Sequence, residues 1–562
     1  MSDYLIYCLF CFERLETILT ALDLVAITWY KTEVVPIIKK TSSTTPEFLH
    51  AYRKPSYHFY KRVGKTVPPV RDPLLLKSAT QLAEEIREGK TKSEDIVQAY
   101  IQRIQEVEPF INATVDRCFE DALEKAREVD SLLASGKYTG KQLEEEKPLL
   151  GLPISIKSLL MVKGLRCTGG CKYFEHQRAD EDAPSVALLK NAGAIVIATT
   201  NVPEAAINLE TLNNVHGMTR NPYGTNRTCG GSSGGEGALI GAGASVFGLG
   251  NDLLGSLRIP AHFNGIFSHK PSIGLVPNGG SFPPEMPSAT PLIFDTEIMK
   301  CGVTGPMCRY AEDLVVGMRI LSSERGAKLN FGQKVNFEKL KIIYLKEFYS
   351  PLAPPVEKEI AIGLANAVSY FGETHKVPIR EVKMPWLMDA SRCAFNIIFP
   401  FIESTIDVIE KTKGSPLNIK LELVKYIFGK SVFSFGCLLM VINSYFPLFH
   451  KKSHRPFYEK MVEEWIQKFD QLLDENTVLL LPTLPNTAPF VRGTFPYLLG
   501  SCYTGIFNVL GLPVTHCQLG FNREGLPYGI QIVGCSNNDA LTIACAIELE
   551  KEFGGWRSPG EV

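Results

Sequence analysis

Apolar positions in the first forty residues fall into two patterns. Tyr4 to Phe12 is a continuous apolar run, too short to cross a bilayer and lacking the basic flank of a cleaved secretory signal. From Leu15 onward, Leu15, Ile18, Leu19, Leu22, Val25, Ala26 and Trp29 recur at three- and four-residue spacing, which places them on one helical face. Residues 1–40 are therefore expected to form an apolar N-terminal helix, either packed on the domain or lying in a membrane interface. Its polar side carries Glu13, Glu16 and Asp23, and acids disfavour an anionic surface. Residues 41–72 read as a linker with a modest basic cluster at Arg53, Lys54, Lys61, Arg62 and Lys65.

Beyond the linker the pattern alternates. Leu82 with Ile86, and Ile96 with Tyr100, Ile101 and Ile104, predict two amphipathic helices separated by Gly89, the second capped near Ser93. Leu150–Ile156 is a short apolar strand ending in Lys157. Ala183–Ala192 reads as a helix with Pro184 in its first turn and Gly193 ending it, followed by a buried strand over Ala194–Thr199. Strand runs return at Leu340–Leu345, Val478–Leu481 and Ile530–Val533. Helices alternating with β-branched runs predict an α/β fold on a mixed sheet. Phe433–Phe449 is an uncharged run between Lys430 and Lys451, interrupted by Asn443, Ser444 and Pro447. It reads either as a core helix or as a hydrophobic cap that meets membrane or an acyl chain.

Composition narrows the function little. With 59 basic and 60 acidic residues the net charge is −1, which gives no electrostatic footprint for nucleic acid. The 14 cysteines are scattered, and pairs such as Cys167 and Cys171 lack the second half of a zinc site, so they read as reduced thiols.

The glycine-rich stretch from Gly230 to Gly255 holds the candidate chemistry. It lacks the Lys-Ser/Thr of a phosphate-binding loop, and Gly248, Gly250 and Gly255 miss the dinucleotide spacing. Gly231-Ser232-Ser233-Gly234-Gly235 fits a Gly-x-Ser-x-Gly nucleophile elbow, but that elbow needs a preceding strand and Thr225–Gly230 is unlike one. The late histidine it would need, His516, reads as a core or surface residue. What remains is Ser232 and Ser256 in two glycine-rich turns, with Lys157 at a strand end. Serine is a weak nucleophile until a base takes its proton, and lysine serves as base only when burial keeps it neutral. The three residues read either as an amine–hydroxyl relay or as a paired lysine with two turn serines.

Cys229–Ala238, followed by Gly250-Asn251-Asp252 and Gly255-Ser256-Leu257-Arg258-Ile259-Pro260-Ala261, resembles the amidase signature. The likeness runs from about Asp72 to Trp556 and takes in Gly151–Lys157, Thr200-Asn201, Asn221-Pro222, Lys270-Pro271-Ser272, Thr304–Met307 and Gly525-Leu526-Pro527. Within that family, Gly265–Ser272, Gly305–Leu314 and Phe553–Trp556 are most similar to the type 2 fatty-acid amide hydrolases. The resemblance implies one large domain over residues 73–562, a twisted mixed β-sheet covered by helices. It implies Lys157 as base, Ser232 as proton relay held through a cis peptide, and Ser256 as nucleophile. Backbone N–H groups of Leu253, Leu254, Gly255 and Ser256 would form the oxyanion hole, Asp252 and Arg258 would brace the loop, and Ser233 would support it. It implies neither metal nor cofactor, a fatty-acyl amide substrate, an intracellular place at a membrane surface, and room for a homodimer.

Two departures stand out. Leu254 occupies a position where the family commonly has glycine, and Ser158 one where it often has an acid. If the backbone at Leu254 required a positive φ, leucine would cost roughly 1–2 kcal/mol or displace a donor. The competing readings are therefore a small-amide amidase, the amidase subunit of a tRNA-dependent amidotransferase, and a lipid-binding relative whose turnover Leu254 has weakened or abolished.

Overall fold

The computed structural model describes residues 64–561, apart from 283–300, 333–334, 349–352, 446–451, 495–496 and 498–499. The expected N-terminal helix over residues 1–40 lies outside the described residues, as does most of the expected linker. The described end of that linker is pinned to the domain. Val67 and Val70 are buried, Val67 N–H donates to Pro222 O, and Val70 N–H donates to Ser558 Oγ.

Eleven strands form one sheet: β1 (Thr114–Arg117), β2 (Pro153–Lys157), β3 (Ile195–Thr200), β4 (Phe247–Asp252), β5 (Phe267–Lys270), β6 (Val303–Cys308), β7 (Lys341–Tyr344), β8 (Ile379–Glu381), β9 (Thr477–Pro482), β10 (Val514–Phe521) and β11 (Pro527–Val533). Their order across the sheet is β1-β3-β2-β4-β6-β5-β10-β11-β9-β7-β8. β2 runs parallel to both β3 and β4, β9 and β7 are parallel, and the central pairs from β4 to β10 are antiparallel. This is the mixed α/β sheet that the alternating pattern predicts, with every residue of β2, β3, β6 and β9 buried. Burial on both faces explains why β3 and β9 read as apolar runs at Ile195–Ala198 and Val478–Leu481 rather than as alternating ones.

The two early helices form at Ala79–Arg87 and Ser93–Ile111. Ser78 and Gln81 make a capping box on the first, satisfying two orphan N–H groups reciprocally. The expected cap at Ser93 is different. Its hydroxyl donates to Gly151 O, and the Asp130 carboxylate, from a neighbouring helix, takes the N–H groups of Ser93 and Glu94.

Two further expectations change. Gly224–Thr228 is a strand, paired with Arg220-Asn221 in a two-stranded ribbon, where Thr225–Gly230 was expected to be unlike one. The ribbon is separate from the large sheet, so Ser232 still does not follow a central strand as an elbow would require. The uncharged run from Phe433 gives a helix at Phe435–Tyr445 that buries Cys437, Leu438 and Val441 against the main core. The preceding helix, Ile419–Ile427, exposes Leu421 and Val424. No helix among the described residues is long and apolar enough to cross a membrane.

Candidate active site

β2 delivers Lys157 to the interior at the end of an all-buried strand, with no exposed surface on its side chain. Lys157 Nζ lies 2.7 Å from Ser232 Oγ and also contacts Asn251 Oδ1 and the Asn251 backbone oxygen. Burial drives the Lys157 amine down to about 7, against the opposing pull of the Asp252 and Glu236 carboxylates. Glu236 accepts from Ser155 Oγ at 2.6 Å and Thr200 Oγ1 at 2.7 Å, and burial pushes its carboxyl up to about 7. The lysine thus has no directly bonded carboxylate among the described residues. It is an amine poised to exchange a proton near neutrality rather than half of an ion pair.

Ser232 follows a cis peptide bond from Gly231, the arrangement that the resemblance implies. Directly after it the helix Gly234–Gly241 begins, and Ser233 N–H donates to Ser256 O at 3.2 Å, stitching the two serine turns together. Ser233 Oγ bonds Asn251 O at 3.3 Å. Ser232 and Ser256 line one pocket with Asn251, Asp252, Asn278 and Ser281 on its polar side. Leu159, Ala206, Leu253, Phe282, Val303 and Phe401 form its apolar walls. Lys157 and Ser232 are hydrogen-bonded, whereas Ser256 shares the pocket wall with Ser232.

The turn from Asp252 to Arg258 is held from beneath. Asp252 accepts from the N–H groups of Gly255 at 2.6 Å and Leu257 at 3.1 Å, and from Arg258 Nε at 3.1 Å. Arg258 reaches on to Asn508 Oδ1 and Gln531 Oε1. Burial alone would raise the Asp252 carboxyl, but the Arg258 guanidinium overrides it and the pKa falls to about 2. Both side chains are fully buried, so removing either would leave an uncompensated charge. Bracing is what these bonds do.

The expected oxyanion donors divide. The Gly255 N–H is taken by Asp252, while the N–H groups of Leu253, Leu254 and Ser256 meet no backbone acceptor among the described residues. Gly255 has φ +118°, and a Cβ there would lie 2.2 Å from Thr504 Oγ1, so glycine is required on both counts.

Leu254 raises neither difficulty expected of it. It stays out of the positive-φ region. Its side chain packs on Ala394, Ile398 and Val509, and its Cδ2 lies 2.7 Å from where a Cβ on Gly505 would sit. Leu253, not Leu254, lines the pocket. At Ser158 the hydroxyl is buried and has no partner among the described residues. His516 is buried on β10, where its Nδ1 pairs with Thr483 Oγ1 at 2.7 Å, and it is not among the residues that line this pocket. Asn251 is the residue that sequence reasoning passed over. It was quoted within the motif, but nothing in its spacing marked it as a partner of the lysine.

The amidase family pattern matches residues 95–543. The chain belongs to the amidase family. Fatty-acid amide hydrolase 2-B of Danio rerio is 38% identical over 519 residues, covering 89% of this chain and 93% of that one. Fatty-acid amide hydrolase 2 of Homo sapiens is 37% identical over 511 residues, with 89% and 93% covered. Among solved structures, 6-aminohexanoate cyclic dimer hydrolase superposes with a TM-score of 0.69 at 23% identity, covering 87% of this chain and 99% of that chain, a likeness of fold. As a member of this family the protein is an amidohydrolase acting on amides.

Proposed function

We propose that this amidase cleaves fatty-acid amides to free fatty acid and amine through an acyl-enzyme on Ser256. The observation that carries the reading is the buried Lys157 amine, lowered to about 7 and 2.7 Å from Ser232 Oγ, beside the pocket that Ser256 lines. Lys157 accepts the Ser232 proton, Ser232 takes the proton of Ser256, and Ser256 Oγ attacks the amide carbonyl. The developing oxyanion is met by N–H groups of Leu253, Leu254 and Ser256, each donor worth about 3–4 kcal/mol in the transition state. The proton returns through Ser232 to the leaving nitrogen as the C–N bond breaks. Water then attacks the ester by the same relay and releases the acid.

Support for a long acyl chain comes from the apolar walls at Leu159, Ala206, Phe282, Val303 and Phe401, and from the names of the relatives. Leu254 neither lines the pocket nor adopts a positive φ, which argues against lost turnover. The test is a fluorophosphonate probe followed by a rate screen over primary fatty amides, N-acylethanolamines and short amides. Wild type should label, long-chain amides should give the higher kcat/KM, and Leu254→Gly should bring no gain. Faster turnover of short amides would favour the small-amide reading. Labelling that appears only in Leu254→Gly would favour the lipid-binding relative.

The same reading places the protein at a membrane surface. Leu421, Val424 and Phe428 are each about half exposed along one side of the helix Ile419–Ile427 and its end. Three such side chains at helical spacing suit insertion into an acyl boundary. Val424→Asp with Phe428→Asp should reduce co-sedimentation with phosphatidylcholine vesicles while hydrolysis of a soluble amide is kept. Equal sedimentation of the double variant would remove this helix as the docking face.

A further inference from the structure

We propose that Asn251 is a positioning residue that aims the lone pair of the Lys157 amine at the Ser232 hydroxyl. The proposal rests on the reading of Lys157 as base, and it concerns how that base acquires direction.

Among the described residues Lys157 Nζ has three hydrogen-bond partners: Ser232 Oγ at 2.7 Å, Asn251 Oδ1 at 2.5 Å and Asn251 O at 3.4 Å. An ammonium has three hydrogens, whereas a neutral amine has two hydrogens and one lone pair. Both Asn251 atoms are carbonyl-type oxygens, which accept and have nothing to donate. Each must therefore face an N–H. Ser232 alone among the three can supply a proton, so in the neutral amine the lone pair falls on Ser232. After transfer the new N–H points along the same line and Ser232 Oγ accepts it. One arrangement serves both protonation states, and no side chain has to turn between them.

The placement is built by the sheet. β2 and β4 run parallel with Ile156 opposite Leu249, which brings Lys157 and Asn251 to the same end of neighbouring strands. Asn251 is held on its other side by the β4–β6 ladder opposite Thr304. Its carboxamide presents oxygen to the lysine, and the reversed carboxamide would set donor against donor with the ammonium or take up the lone pair of the neutral amine. Around the amine the charged groups are the Asp252 carboxylate at the end of β4 and the Glu236 carboxylate on the helix Gly234–Gly241. Arg258 and Lys270 bear on Asp252 in turn. Asn251 adds acceptors to this field without adding a formal charge. A carboxylate in its place would hold the proton on the amine.

The test reads Lys157 directly and the rate separately. Protein labelled with ¹³Cε-lysine is titrated by NMR, with the Lys157 signal assigned through Lys157→Met, and amide hydrolysis is followed across pH. Asn251→Ala should shift the Lys157 titration down by about one unit, since an acceptor of the ammonium is lost. Its kcat should fall about tenfold or more, with KM changed by less than about threefold. The near-isosteric Asn251→Asp, which guards against a folding defect in the alanine variant, should shift the titration up by about one unit or more. The acid limb of its rate profile should move with it. Unmoved titrations in both variants, or an unchanged kcat in Asn251→Ala, would overturn the proposal. Titrations that move in a protein whose wild type hydrolyses no amide would sink the proposed function and leave the positioning of the amine standing.

Discussion

Replacing Ser256 with alanine is expected to lower amide turnover by about 10⁶-fold and to erase fluorophosphonate labelling, because no other group replaces the bond-forming oxygen. The loop that carries it should survive. Its shape is held by Asp252 through Gly255 N–H, Leu257 N–H and Arg258, and by Thr504 Oγ1 donating to Leu254 O at 2.6 Å. None of these bonds uses the Ser256 side chain. Ser256 is also only half-buried, so loss of its hydroxyl should move stability by no more than about 0.5 kcal/mol. Activity and Tm are thus expected to separate: almost no turnover at an unchanged melting temperature. Probe labelling that persists in Ser256→Ala at the wild-type rate would show that another side chain is the nucleophile.

How much of this site the sequence discloses depends on whether a residue's role is local. Lys157 was legible because an apolar run ends in a charge, and a run of that kind is what a strand buried on both faces produces. Strand β4 was not legible, because Gly248 and Gly250 erase the β pattern. The reason lies in another element: a Cβ on Gly248 would stand 2.0 Å from Glu236 Oε2. The helix Gly234–Gly241 is equally masked. Its sequence, GGEGALIG, has poor helix propensity, and full burial of every residue stabilises it instead. Leu254 shows the limit most plainly. As sequence it threatens the oxyanion loop, whereas in the fold it packs beside Gly505, far along the chain. Asn251 needs the register of β2 against β4 before its oxygens can be placed beside Lys157. The resemblance carried the serines and the lysine, and only packing reveals what supports them.

Replacing Lys157 with methionine should reduce activity and raise stability at once. A base must be neutral to act, so wild-type turnover is expected to rise about tenfold per pH unit below the Lys157 pKa of about 7 and to level off above it. Lys157→Met should lose that rise and about 10²–10⁴-fold of the plateau rate. The stability effect follows from the same burial. An unfolded lysine titrates near its ordinary value of 10.5, so between about 7 and 10.5 the unfolded chain holds a proton that the folded chain has released. Wild-type stability therefore climbs with pH across that window, and the cost of burying the lysine is felt in full at and below its lower edge. Methionine bears no such cost. Removing the ammonium also removes a partner of Glu236, but burial already pushes that carboxyl up to about 7, and a protonated Glu236 keeps its Ser155 and Thr200 partners without a charge. Asp252 retains Arg258. The methionine variant should accordingly melt above wild type at pH 6, with the gap narrowing as pH approaches 10. A lower Tm at pH 6, or a pH–rate rise that survives the substitution, would mean that Lys157 is held charged in the fold and that the base lies elsewhere.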